Sequence, residues 1–155
     1  MKNRYGGESA KQYVEPLMPV ILKHCVNEDH ELRQSAAFGL GACAEAMGRA
    51  FGNAREKVLT VLFQVATAEG TREGENEPAS DCAISAVGKL CRFCYQEGEE
   101  PIFRGEKVLP RWLSWLPIKA DEEEAVLNNA RLLDFVEQNN PFLLGDNNAN
   151  LPKVS

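Results

Sequence analysis

The string EKVL stands twice in this chain, at Glu56–Leu59 and at Glu106–Leu109, and each copy opens an apolar stretch at helical spacing. After the first, Val58, Leu59, Leu62, Phe63 and Ala66 recur at steps of one to four, predicting an amphipathic helix over 53–69. After the second, Val108, Leu109, Trp112, Leu113 and Leu116 do the same over 106–116, where Pro117 stops the run. Each has a partner downstream. Residues 79–95 carry Cys82, Ala83, Ala86, Val87, Leu90 and Cys94; residues 121–139 carry Ala125, Val126, Leu133 and Val136 and end before Pro141. Upstream, 10–26 (Tyr13, Leu17, Val20, Ile21, Cys25) and 31–50 (Leu32, Ala36, Leu40, Cys43, Met47) make a third pair. No strand is predicted.

Laid over one another, the pairs keep register. Gly88 lies 47 positions after Gly41, Glu124 lies 93 after Glu31, and Pro110 lies 94 after Pro16. The EKVL copies stand 50 apart because the loop Gly70–Glu77 (GTREGENE) is extra, and it reads as an exposed connection. A two-helix unit of about 47 residues is the period of HEAT-type solenoid repeats, so EKVL marks equivalent starts of two repeats. The predicted fold is all-α, an α-α superhelix of about three HEAT repeats at 10–52, 53–104 (with the acidic loop 70–78) and 105–140. Residues 1–9 read as a flexible leader and 141–155 as a linker into a further repeat, so the chain is expected to be a piece of a longer array. Ala36, Ala37, Gly39, Gly41, Ala42 and Ala44 crowd one helix. Each glycine costs an isolated helix about 1 kcal/mol, so this helix is predicted to be sandwiched where backbones approach closely.

The composition is that of a globular chain, with 44% hydrophobic and 26% charged among 155 residues, and no apolar run approaches the roughly 20 residues of a membrane span. Five cysteines, an odd number set inside helical segments, fit a reducing compartment. A net charge of −6 argues against nucleic acid as the direct partner and favours a basic protein.

Each residue set that could carry chemistry also has a packing or surface reading. Cys91 and Cys94 form a CxxC, but zinc would need two more ligands and the histidines, His24 and His30, lie two helices away. A redox pair belongs at a helix start, whereas this one lies near a helix end, so packing is the better reading. His24 and His30 flank a turn and read as surface groups. The acidic run Asp121–Glu124 (DEEE) complements a helix N-terminus, and Trp112 and Trp115 read as core or groove packing. Arg33 opens a second helix with Asp29 as its obvious local partner. No catalytic, cofactor or metal residues emerge, and the chain reads as a binding protein without enzymatic activity.

Four strings go further: Glu31-Leu-Arg-Gln-Ser-Ala-Ala-Phe-Gly-Leu-Gly, Cys82-Ala-Ile-Ser-Ala-Val-Gly-Lys, Val108-Leu-Pro-Arg-Trp-Leu-Ser-Trp-Leu-Pro and Leu144-Gly-Asp-Asn-Asn-Ala-Asn-Leu-Pro-Lys. In order and spacing they resemble the C-terminal part of importin-beta (karyopherin-beta) nuclear import receptors, most closely the importin beta-three (importin five) type, from about Tyr13 onward. The resemblance implies a superhelical receptor, shuttling between cytoplasm and nucleus, that carries basic cargo such as ribosomal proteins and histones through nuclear pores. Ran and nucleoporins would engage the full-length receptor, and no cofactor, direct nucleic acid or membrane is implied. Second helices line the concave, cargo-holding side in such receptors. Opposite the apolar stripes this would present Gln34, Phe38 and Glu45, then Asp81, Ser85 and Arg92, then Arg131, Asp134 and Gln138. The competing reading is a HEAT scaffold for a multiprotein complex outside nuclear transport.

Overall fold

The computed structural model describes residues 7–154, so most of the 1–9 leader lies outside the described residues. The chain is all-α: α1 (Glu8–Val14), α2 (Met18–His24), α3 (His30–Met47), α4 (Ala54–Thr67), α5 (Glu77–Phe93), α6 (Val108–Ser114), α7 (Glu122–Glu137), and the short α8 (Pro141–Leu144) and α9 (Leu151–Val154). A 3-10 turn, Gly48–Phe51, extends α3. The helices form two layers. In one, α3, α5 and α7 lie side by side; across from them α2 packs on α3, while α4 and α6 pack on α5.

Local chemistry sets the boundaries. The predicted first helix is two, broken between Val14 and Met18, because Pro16 offers no N–H to the preceding turn and Pro19 is tolerated only in the first turn of α2. The break also rotates the apolar face. Val14, Leu22 and Cys25 are buried, while Tyr13, Leu17 and Val20, assigned to the stripe by spacing, are 70%, 55% and 55% exposed. Asp29 caps α3, accepting from the N–H groups of Glu31 and Leu32 at 2.8 and 3.4 Å.

Ile102–Phe103 and Glu106–Lys107 pair as a small antiparallel hairpin, contrary to the expectation of no strand. Arg104 and Gly105 both take positive φ, 50° and 80°, as the two-residue turn that matches strand twist requires. The second EKVL therefore straddles a strand and the start of α6, whereas the first lies inside α4. Residues 141–155, expected as a linker, include α8, whose Leu143 and Leu144 are buried and which packs on α6.

Small residues make the closest contact. Ala37, Leu40, Gly41 and Ala44 of α3 are buried, and a Cβ on Gly41 would lie 3.3 Å from the Ala86 Cβ of α5. The helix enclosed on every side is α5 itself, with every residue from Ala79 to Cys91 buried. Its Gly88 lets Trp112 of α6 lie against the backbone, where Trp112 Nε1 donates to the Ile84 carbonyl at 3.1 Å. Phe135 of α7 stacks edge-on to that indole at 5.6 Å.

The loop 70–77 is more than an exposed connection. Thr71 is buried and donates to the Val65 carbonyl at 2.6 Å, and Arg72 reaches the Trp115 carbonyl at 3.4 Å and Asp81 Oδ1 at 3.8 Å. Nor does Arg33 pair with Asp29, whose carboxylate is occupied by the cap. Arg33 donates to the carbonyls of Asn27 and Glu28 at 2.7 and 2.8 Å and to Asn76 Oδ1 of the loop.

Candidate protein-interaction face

The nine residues read from the sequence divide according to the helix that carries them. On α3, Phe38 is half exposed, Glu45 exposed and Gln34 partly buried. On α5, Asp81 and Ser85 are fully enclosed and only Arg92, near the helix end, reaches the surface. On α7, Asp134 and Gln138 are exposed but Arg131 is buried. Asp81, Ser85 and Arg131 thus fall out of any contact surface. The physical reason is that α3 and α7 close over the face of α5 that spacing alone marks as free.

What these buried groups do is hold the layer together. Asp81 Oδ2 accepts from three successive backbone N–H groups, Lys119 at 3.0 Å, Ala120 at 2.7 Å and Asp121 at 3.2 Å, fixing the entry to α7. Ser85 donates to Glu124, and Glu124 also pairs with Lys89 at 3.6 Å, both members almost wholly buried. The Lys89 ammonium lies 5.2 Å from the centre of the Phe38 ring. Further along α7, the Arg131 guanidinium sits 5.7 Å from the Phe93 ring. Burial pulls its pKa down, opposed by the nearby carboxylates Glu45, Glu124 and Asp134.

Above this seam lies an open groove of about 510 Å³, lined by Glu31, Gln34, Ser35 and Phe38 of α3, Cys82 of α5, and Asp121, Glu123 and Glu124 at the start of α7. Gln34 donates across it to Asp121 Oδ2 at 3.2 Å. Four carboxylates and one half-exposed aromatic ring, with no basic residue in the lining, give the groove a negative potential and an exposed π face. Sequence reasoning found Gln34 and Phe38 of this set but read Asp121–Glu124 only as helix-dipole chemistry. Asp121 does cap α7, accepting from Glu124 N–H at 3.1 Å, yet the same run also forms one wall of the groove. A second hollow, of about 560 Å³ around Arg49, Arg55, Glu97 and Glu99, is already neutralised, with Arg55 paired to Glu99 at 3.0 Å.

The cysteines lack the setting of reactive thiols. Cys94 is buried, donates to the Ala44 carbonyl at 3.4 Å, and burial pushes its pKa up to about 12. Burial raises Cys91 still further, and Cys25 reaches about 12 for the same reason. Among the described residues no three His, Cys, Asp or Glu side chains cluster as metal ligands, and no helix is long and apolar enough to cross a membrane.

Two layers of paired helices, stacked in chain order around a shared core, define the class as a HEAT-like α-solenoid. No protein-family model matches the chain. Among curated proteins, Importin subunit beta-3 of Saccharomyces cerevisiae is 23% identical over 145 residues, covering 94% of this chain and 13% of that protein. Importin-4 of Homo sapiens is 31% identical over 135 residues, covering 87% of this chain and 12% of that protein, and Importin-4 of Mus musculus matches to the same extent. The chain belongs to the importin-beta family, and it spans about an eighth of the length of the curated relatives it matches.

Proposed function

We propose that this chain is the C-terminal HEAT-repeat segment of a karyopherin-beta nuclear transport receptor and that its α3–α5–α7 layer receives basic import cargo. In this reading residues 10–52, 53–104 and 105–140 are three HEAT repeats, and 141–155 lead into the next. Cargo such as ribosomal proteins or histones lies along the concave side, contacting Gln34 and Phe38 with Glu31 and Glu123, and, further along, Glu45, Arg92, Asp134 and Gln138. Ran and nucleoporins act through the remainder of the receptor, which shuttles between cytoplasm and nucleus. The segment's work is binding, without catalysis. The observation that carries this reading is the acidic, aromatic-floored groove between α3 and α7, in a chain of net charge −6.

Binding of the 155-residue chain to a fluorescent lysine-rich peptide, measured at low and at physiological salt, tests it. Saturable binding that weakens with salt and is lost in Glu31→Lys/Glu123→Lys is expected. Both side chains are exposed, so the reversal leaves the core intact. Absence of binding at low salt refutes the reading.

A further inference from the structure

Two residues of the groove lining, Phe38 and Glu124, already contact a buried cation. Among the described residues Lys89 is the one buried lysine, 5% exposed, and it grows from α5 beneath the groove floor. Its stem passes over Gly41, where a Cβ would come within 3.0 Å of Lys89 Cδ, so the absence of a side chain there opens its path. Its ammonium ends 5.2 Å from the Phe38 ring centre and 3.6 Å from Glu124 Oε1. An aromatic face and a carboxylate are the two features of the groove lining that would recognise an incoming lysine.

We infer that Lys89 is an internal pseudo-ligand: it occupies Phe38 and Glu124 in the free protein and competes with the lysine side chains of a basic partner for both. The inference rests on the proposed function of the groove. Competition sets the affinity of this segment low. A partner lysine gains only the difference between its own contacts and those Lys89 gives up, and a cation on one face of Phe38 weakens the attraction of the other. Weak, exchangeable contacts at one groove suit a surface that must release what it holds.

The test compares Lys89→Met with the unaltered chain for binding of a lysine-rich peptide. Methionine keeps the stem's length and apolar packing, and Ser85 still donates to Glu124. Lys119→Met removes the same charge from the exposed turn beside the groove and serves as the charge control. Tightening of about tenfold in Lys89→Met, absent from Lys119→Met, is expected. Equal tightening in both variants reduces the effect to net charge and overturns the inference. Unchanged or weaker binding in Lys89→Met overturns it also, leaving the groove reading intact. If no form binds at low salt, the groove reading itself falls, and the inference with it. A second readout needs no variant: in the unaltered protein the Lys89 Hε resonances, shifted by the Phe38 ring, move towards free-lysine positions as peptide saturates the groove. Peptide binding that leaves them in place overturns displacement even if Lys89→Met does not fold.

Discussion

Asp81 lies one turn into α5 with no solvent exposure, and a single carboxylate oxygen collects the N–H groups of three consecutive residues in the connection leading into α7. Arg72 supplies the compensating charge from the loop. Asp81→Ala would strand three donors and a half-buried guanidinium, and is expected to lower stability by about 3 to 5 kcal/mol in a urea titration. Gly88 is equally exacting for a different reason. A Cβ there would meet Trp112 Nε1 at 2.9 Å and Cε2 at 3.0 Å, atoms of a rigid ring held by its own hydrogen bond. Gly88→Ala is expected to cost about 1 to 3 kcal/mol and to shift the tryptophan emission as the indole moves. The buried thiols predict a pH dependence. Unfolded cysteines ionise near 9.0, whereas Cys25 and Cys94 stay protonated until about 12. Stability from this source is complete below pH 9 and is lost as pH rises from 9 towards 12, so the urea midpoint should fall across that window.

Among the elements, the loop 70–77 and α7 carry most of the surprises. Arg33 ties the turn before α3 to Asn76, fastening two connections that are distant in sequence. Arg33→Ala is expected to cost about 1 to 3 kcal/mol and to speed amide exchange in 70–77, with little change in α6 and α7. α7 buries a largely polar face, with Glu124, Asn128, Arg131 and Phe135 turned towards the core, and leaves Val126 and Leu133 68% and 59% exposed. Spacing put Val126 and Leu133 on the buried stripe. The error is physical: α5 meets α7 with Ser85 and Lys89, so the complementary face of α7 is charged and hydrogen-bonding. Hydrophobic periodicity presumes an apolar neighbour, and along the Ser85–Lys89 seam α7 meets a polar one.

At the scale of the whole molecule, exposed apolar side chains mark both ends of the stack, Tyr13, Leu17 and Val20 around α1 and α2, and Val126, Leu127 and Leu133 on α7. Paired apolar ends predict concentration-dependent association of the isolated chain. Val126→Glu/Leu133→Lys should abolish it in light scattering while leaving the melting temperature nearly unchanged. The helical character and the close approach of α3 were legible in the sequence, because 3.6-residue periodicity, proline stops and clustered small residues are local properties of the chain. Family resemblance was legible too, in strings such as Val108–Pro117. Which face of each second helix remains free was not, since that depends on what α3 and α7 bring to α5. Six of nine proposed contact residues stay accessible, and Asp81, Ser85 and Arg131 became structural. By itself the sequence determined the long helices α3, α4, α5 and α7 and their order, because a residue's neighbours along a helix follow from its number. Only the tertiary structure decided that Asp121–Glu124 form a groove wall and that Lys89 fills the space beneath Phe38. Those contacts join residues about 35 to 90 positions apart, and their charge is expressed only once water is excluded between them.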